Sequence, residues 1–270
     1  MQKNRLDENI KQSLDSKRKC LMPYITAGFP NLDVTMGLLD RFDHIGCPAV
    51  EIGFPFSDSI ADGPVIQDSF NRALDAGFKI DALFERVGKV RPKLSTALIA
   101  MVSMSIVRRF GIDTFMKRAS ACGFDAVIVP DVPIDECQTI ENACARYDLR
   151  NILMCAPTSS AQRQQDIAKQ ASGFVYVIAA KGITGERSAV DGQLPAIIGQ
   201  LRGATKTPLI AGFGIASVEQ VRDVCSVADG AIVGSAIIRR IREAVDQQQS
   251  NDETIKQVGN YVESLQAGTV

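Results

Sequence analysis

Eight short apolar runs constrain this chain more than any other feature. They are CLMPYITAG (20–28), PAVEIGF (48–54), TALIAMV (96–102), FDAVIVP (124–130), NILMCAP (151–157), FVYVIAA (174–180), TPLIAGF (207–213) and GAIVG (230–234). Each is strand-length, and most are apolar throughout rather than alternating, the pattern of parallel strands covered on both faces. Segments of helical period separate them. LDVTMGLLDRF (32–42) sets Leu32, Met36, Leu39 and Phe42 on one face, and Asp135 and Ser217 are placed as helix caps. Eight strands alternating with helices predict a (β/α)8 TIM barrel, which typically takes about 250 residues. The 270 residues therefore read as one barrel domain over 1–270. A doubly wound open sheet, which needs fewer strands, ranks second. An extra helix is expected before the first strand, another at 252–266, and an inserted loop and helix around 54–90.

A barrel places its chemistry in the loops after the strands, and two of those loops are glycine-rich. GFGIAS (212–217) follows the seventh run, and GSAIIRRI (234–241) follows the eighth and opens an additional short helix. Gly212, Phe213 and Gly214 in the first, with Gly234 and Ser235 in the second, are candidates for phosphate binding through backbone amides. Gly185 of GITG, after the sixth run, is a further source of an amide. The alternative is that these glycines only end tight strands.

The second run carries a carboxylate, Glu51, within apolar sequence. Alternation turns it away from Val50 and Ile52, hence into the mouth, where desolvation raises its pKa into the range useful for acid–base work. Eleven residues on, Asp62 stands in ADGP, a turn sequence. A structural ion pair and an ordinary turn are the plainer readings of these two acids. Two carboxyl groups in different environments can instead divide proton transfer and charge stabilisation between them.

Other chemistries find little support. The single histidine, His44, falls in a helix, and the seven cysteines are scattered without a CxxC pair, so no zinc site is expected. Dispersed cysteines suit a reducing cytoplasm. The opening MQKNRLDENIKQSLDSKRK has no apolar core to read as a secretion signal, and TALIAMVSMSIV is too short to span a bilayer. A net charge of −1 gives no reason to expect nucleic acid or a membrane as partner. No GxGxxG follows the first run, and Lys181, in a glycine-flanked loop, is the one residue that keeps a Schiff-base aldolase open.

EIGFPFSDSIADGPVIQ resembles the signature of the tryptophan synthase alpha chain family. PYITAGFP, FDAVIVPDVP, VYVIAAKGITG, LIAGFGIAS and GAIVGSAII follow in that family's order, so the similarity runs over nearly the whole chain. The resemblance implies a barrel that cleaves indole-3-glycerol phosphate to indole and glyceraldehyde 3-phosphate without a cofactor. It also implies an α2β2 assembly in which indole passes to a beta chain. By the same resemblance Glu51 is the acid–base residue and Asp62 contacts the indole nitrogen. Tyr176 lies beside the substrate, Thr184 belongs to a closing loop, and Gly185, Gly214, Gly234 and Ser235 hold the phosphate. Pro55 and Asp58 match the partner-facing loop, and Phe54 and Ile60 are expected to offer an apolar mouth to a flat ring. The chain departs from the family pattern at Ser59, at Ser103 and Ser105, and at Ala179-Ala180. A stand-alone lyase and a weakly active binding subunit are the alternatives within this reading.

Overall fold

The computed structural model describes residues 4–59, 62–178, 193–212 and 214–270. Its eight parallel strands close into one barrel in sequence order. They are β1 (Cys20–Thr26), β2 (Ala49–Gly53), β3 (Ala97–Met101), β4 (Ala126–Ile128), β5 (Arg150–Cys155), β6 (Val175–Ile178), β7 (Leu209–Gly212) and β8 (Gly230–Val233). Seven fall inside one of the eight apolar runs, and β5 begins one residue before its run, at Arg150. Closure is made by β8 against β1, with Cys20 opposite Gly230 and Pro23 opposite Val233. Residues of β1, β2, β7 and β8 are buried throughout, as strands sandwiched between a packed interior and a helical jacket must be.

The jacket begins with α1 (Arg5–Asp15) below the barrel and α2 (Leu32–Ile45) after β1. Two helices, α3 (Pro64–Asp75) and α4 (Ile80–Val90), fill the long interval before β3, and α5 (Met104–Phe110) and α6 (Ile112–Cys122) follow it. Next come α7 (Gln138–Arg146), α8 (Ala161–Gln170), α9 (Leu194–Arg202) and α10 (Val218–Cys225). The chain closes with α11 (Ser235–Asp246) and α12 (Asn251–Leu265). The helix expected to be short after β8 is α11, which runs for 12 residues with an apolar stripe of Ala236, Ile237, Ile238 and Ile241. That stripe has enough surface to bury, so the helix continues.

Ser217 caps α10 as expected, accepting from the Gln220 N–H. Asp135 does not cap α7. It sits in a 3₁₀ turn (Ile134–Glu136), and its carboxylate pairs with Arg163 at 2.9 Å instead. The larger core lies outside the barrel, between strands and helices. There Phe54 meets Phe84, Phe115 and Phe124 at centroid distances of 5.8–5.9 Å, edge and tilted contacts worth about 0.5–1.5 kcal/mol each beyond burial. At the N-terminal face, Asp125 just before β4 accepts from Leu98 N–H at 2.8 Å and from Arg5 at 3.2 Å.

Candidate active site

Strand parity decides where Glu51 goes. Val50 and Ile52 face the helices, so Glu51 faces inward, opposite Tyr24 of β1 and Ile99 of β3 in the register. It is 1% exposed, and its Oε1 has no hydrogen-bond partner among the described residues. Burial alone pushes its carboxyl up to about 8. Asp62 comes to the same cavity from above. Its N–H donates to the Ser59 carbonyl at 3.1 Å, closing the turn that leads through Gly63 into α3, and Pro64 starts that helix. Desolvation raises Asp62 to about 6. Tyr24, Ile66, Met101, Tyr176, Ile232, Gly234 and Ser235 complete the walls around the two acids.

Two tyrosines flank the pair, and each is seated by a glycine on the next strand. A methyl at Gly53 would stand 2.0 Å from the Tyr24 hydroxyl, and one at Gly212 would stand 2.3 Å from the Tyr176 hydroxyl. Both phenols are held well above their ordinary pKa, chiefly by burial. The next cause is the charge of Asp62 for Tyr24 and that of Glu51 for Tyr176. They therefore stay neutral O–H donors beside two acids. Gly212 was expected to bring an amide to a phosphate. Its missing side chain makes room for Tyr176, and it lacks the positive φ that Gly214 has (+76°).

Ser235 is the first residue of α11 and Gly234 its cap, with no side-chain cap bond. The Gly234 carbonyl takes the N–H groups of Ile237 and Ile238. The first turn of a helix has N–H groups without acceptors of its own, and here it opens onto the acid-lined cavity.

The remaining expected residues divide. Phe54 is a correction: it is fully buried, and parity turns it with Ile52 toward the helices, into the phenylalanine cluster rather than the mouth. Pro55 is buried and Asp58 is exposed in the loop after β2, where Pro55, Phe56 and Ser57 border an open groove with Phe78, Ile106 and Arg109. Ser59 is buried, and its carbonyl also accepts from Gln67 Nε2 at 2.8 Å. Ser103 caps α5 and donates to Asp131 at 2.7 Å, with the Ser105 hydroxyl 2.8 Å away. Ile60, Ala179, Ala180, Lys181, Thr184, Gly185 and Phe213 lie outside the described residues.

Sequence reasoning missed the wall residues Tyr24, Ile66, Met101 and Ile232, and Gly53, which makes room for Tyr24. The signal was present, since Tyr24 is the only tyrosine in the first run, but its facing Glu51 depends on a register between strands that one run does not reveal. Among the described residues, no three His, Cys, Asp or Glu side chains gather as a metal site would require.

Comparison with known proteins now decides between phosphate-binding barrels. A family model described as tryptophan synthase alpha chain matches residues 10–269. The chain belongs to the tryptophan synthase alpha chain family. The alpha chain of Alkaliphilus metalliredigens is 35% identical over 262 residues, 97% of each chain. That of Rhodopirellula baltica is 38% identical over 256 residues, 92% of each. A crystal structure of tryptophan synthase alpha chain from Legionella pneumophila superposes with a TM-score of 0.88 at 30% identity, covering 99% of this chain and 97% of that one. A structure of Mycobacterium tuberculosis tryptophan synthase matches at 0.88 and 27% identity, covering 98% of both. As an alpha chain the protein is a carbon–carbon lyase of tryptophan biosynthesis that cleaves indole-3-glycerol phosphate and works with a beta chain. No described helix is long and apolar enough to cross a membrane.

Proposed function

We propose that Glu51 and Asp62 carry out the lyase reaction in the cavity they share, each in the protonation state its surroundings impose. Glu51, raised to about 8, enters the cycle protonated at neutral pH; Asp62, raised only to about 6, enters it ionised. Glu51 gives its proton to C3 of the indole ring, converting the ring to an iminium cation whose charge is shared by the ring nitrogen. The Asp62 carboxylate stabilises that charge. The hydroxyl on the side-chain carbon attached to the ring then loses its proton to the Glu51 carboxylate. As that oxygen becomes the aldehyde of glyceraldehyde 3-phosphate, the electron pair of the carbon–carbon bond returns to the ring and neutral indole leaves. Glu51 ends the cycle protonated, so the turnover needs neither a Schiff base nor an external proton.

In this reading Tyr176 lies against the substrate. Gly214, Gly234 and Ser235 hold the phosphate with amides and the helix dipole of α11, joined by Gly185, Phe213 and the Thr184 loop. Pro55 and Asp58 face the beta chain, the whole chain acts as one domain, and the setting is the cytoplasm. The observation that carries the assignment is a fully buried carboxyl oxygen, without a partner among the described residues, in a cavity that a second acid also lines. An unpaired buried carboxyl costs stability and is kept where chemistry uses it. The test is indole release from indole-3-glycerol phosphate by the wild type and by Glu51→Gln, each with and without a beta chain. Wild-type turnover in the Gln variant would overturn the assignment.

A further inference from the structure

The loop that carries Gly214 is held from outside the barrel. Gly214 takes a left-handed φ of +76°, Ile215 is buried, and Ser217 caps α10. Between them Ala216 belongs to no strand or helix, yet side chains grip both of its backbone polar groups. Its N–H donates to Gln220 Oε1 at 2.7 Å, and its carbonyl accepts the Tyr261 hydroxyl at 2.8 Å. Tyr261 stands on α12, 45 residues further along the chain.

The same tyrosine reaches the other phosphate loop through its ring. The guanidinium carbon of Arg240 lies 3.4 Å from the Tyr261 ring centroid, and Arg240 Nη1 donates to the Ala236 carbonyl at 3.1 Å. Ala236 directly follows Ser235 in the first turn of α11. One side chain of the outer jacket therefore connects the loop after β7 with the start of the helix after β8. Backbone amides that bind an anion have no rotamers to adjust, so their aim depends on what fixes the peptide planes around them.

We infer that Tyr261 is a positioning residue for phosphate recognition: its hydroxyl sets the loop after β7, and its ring, stacked under Arg240, ties that loop to the first turn of α11. The inference rests on the proposed phosphate site. It adds a residue on the far side of the helical jacket, which never meets the substrate, to the machinery that selects a phosphorylated one.

The experiment uses the full chain with Tyr261→Phe, which removes one hydroxyl and keeps the ring beneath Arg240. Two probes separate the parts of the site: glycerol 3-phosphate, which carries the phosphate, and indole, which does not. Losing one neutral hydrogen bond that orders the loop should weaken glycerol 3-phosphate, and raise KM for indole-3-glycerol phosphate, about three- to tenfold. Indole affinity and kcat should stay at wild-type values, and the melting temperature should fall by no more than about 4 °C. Wild-type affinity for glycerol 3-phosphate in Tyr261→Phe overturns the inference, and so does an equal loss of both probes, which would mark general loosening. Gly234→Asp, which sets a carboxylate against the proposed anion site, tells the two failures apart. If Gly234→Asp binds glycerol 3-phosphate like the wild type, the phosphate-site reading falls and this inference with it. If Gly234→Asp loses the ligand and Tyr261→Phe does not, only the role of Tyr261 falls.

Discussion

Glu51 and Asp125 are both carboxyl groups taken out of water, at opposite ends of the same barrel, and the chain treats them differently. Asp125, at the N-terminal face, accepts from the Leu98 N–H and from Arg5, with Arg91 at 3.9 Å. Burial still raises it to about 6, but the Leu98 N–H and Arg5 pull against that rise. Glu51, at the mouth, has nothing to pull against burial and rises to about 8, one oxygen being without a partner among the described residues. Partnered burial ties α1, β3 and β4 together. Burial without a partner among the described residues leaves an acid whose surroundings do not hold its pKa down. In this fold the bottom face carries stability and the top face carries reaction, and these two side chains show that division in a single functional group.

Exchanging one carboxyl at each end is the strongest way to break the comparison. Glu51→Gln is expected to lower indole release by about a thousandfold, within the range for a lost general acid–base, and to keep the fold. Its stability should move the opposite way to its activity. The folded state holds the Glu51 proton up to about 8 while the unfolded chain releases it near the ordinary value of 4.5. Wild-type stability therefore falls as pH rises across that window, and the Gln variant is spared the fall. Melting curves at pH 5 and pH 8.5 check this: the advantage of Glu51→Gln should be larger at the higher pH. Asp125→Ala should do the reverse, leaving kcat within a few-fold and costing about 3 kcal/mol in chemical denaturation, because Arg91 is left buried without its counter-charge. A large kcat loss in Asp125→Ala would erase the division between the two ends.

A second pair of substitutions sharpens the same contrast at the mouth. Gly212→Ala must displace Tyr176, and Gly53→Ala must displace Tyr24, since each new methyl would fall within 2.3 Å of a phenol oxygen. Shifts of about 1 Å beside reacting groups cost up to about a hundredfold in rate, so kcat/KM should drop on that order in each. Gly46→Ala, at the C-cap of α2 with open space around it, should leave kcat/KM alone and cost only the strain of its φ of +83°.

The barrel was legible because its signal is local: eight apolar runs of strand length state the strand count without any knowledge of pairing. The inward turn of Glu51 was legible for the same reason, parity within one strand. Parity also turns Phe54 outward with Ile52, yet its place beside the acid loop suggested a mouth residue. Only the positions of Phe84, Phe115 and Phe124, drawn from α4, α6 and the start of the fourth run, show what it packs against. Gly212 was read only in part. Its glycine was read as conformational freedom, whereas the reason for it is a tyrosine on the neighbouring strand. Tyr24 and Tyr261 were missed because both act through partners far off in sequence, Glu51 across a strand register and Ala216 across 45 residues. What one run or one helix encodes can be read from it; what two elements make together cannot.

The smallest expected effect is the most specific to the mouth. If Glu51 must start protonated and Asp62 ionised, kcat/KM should rise as pH passes about 6 and fall as it passes about 8. Between pH 7 and 8 the change is about twofold, a half-titration of one group, so the profile needs points spaced by a few tenths of a pH unit. The sign identifies the groups: a carboxyl required as an acid gives a falling limb on the alkaline side, where ordinary carboxyl groups have long been ionised. Asp62→Asn should lower the rate and remove the acidic limb, leaving the alkaline one. Any residual activity of Glu51→Gln should lack the alkaline limb. Asp125, though it too is raised to about 6, is held away from the mouth. The acidic limb should therefore persist in Asp125→Asn, measured on folded protein. Its disappearance there would assign the limb to the stability end of the barrel and end the division of labour drawn between the two faces.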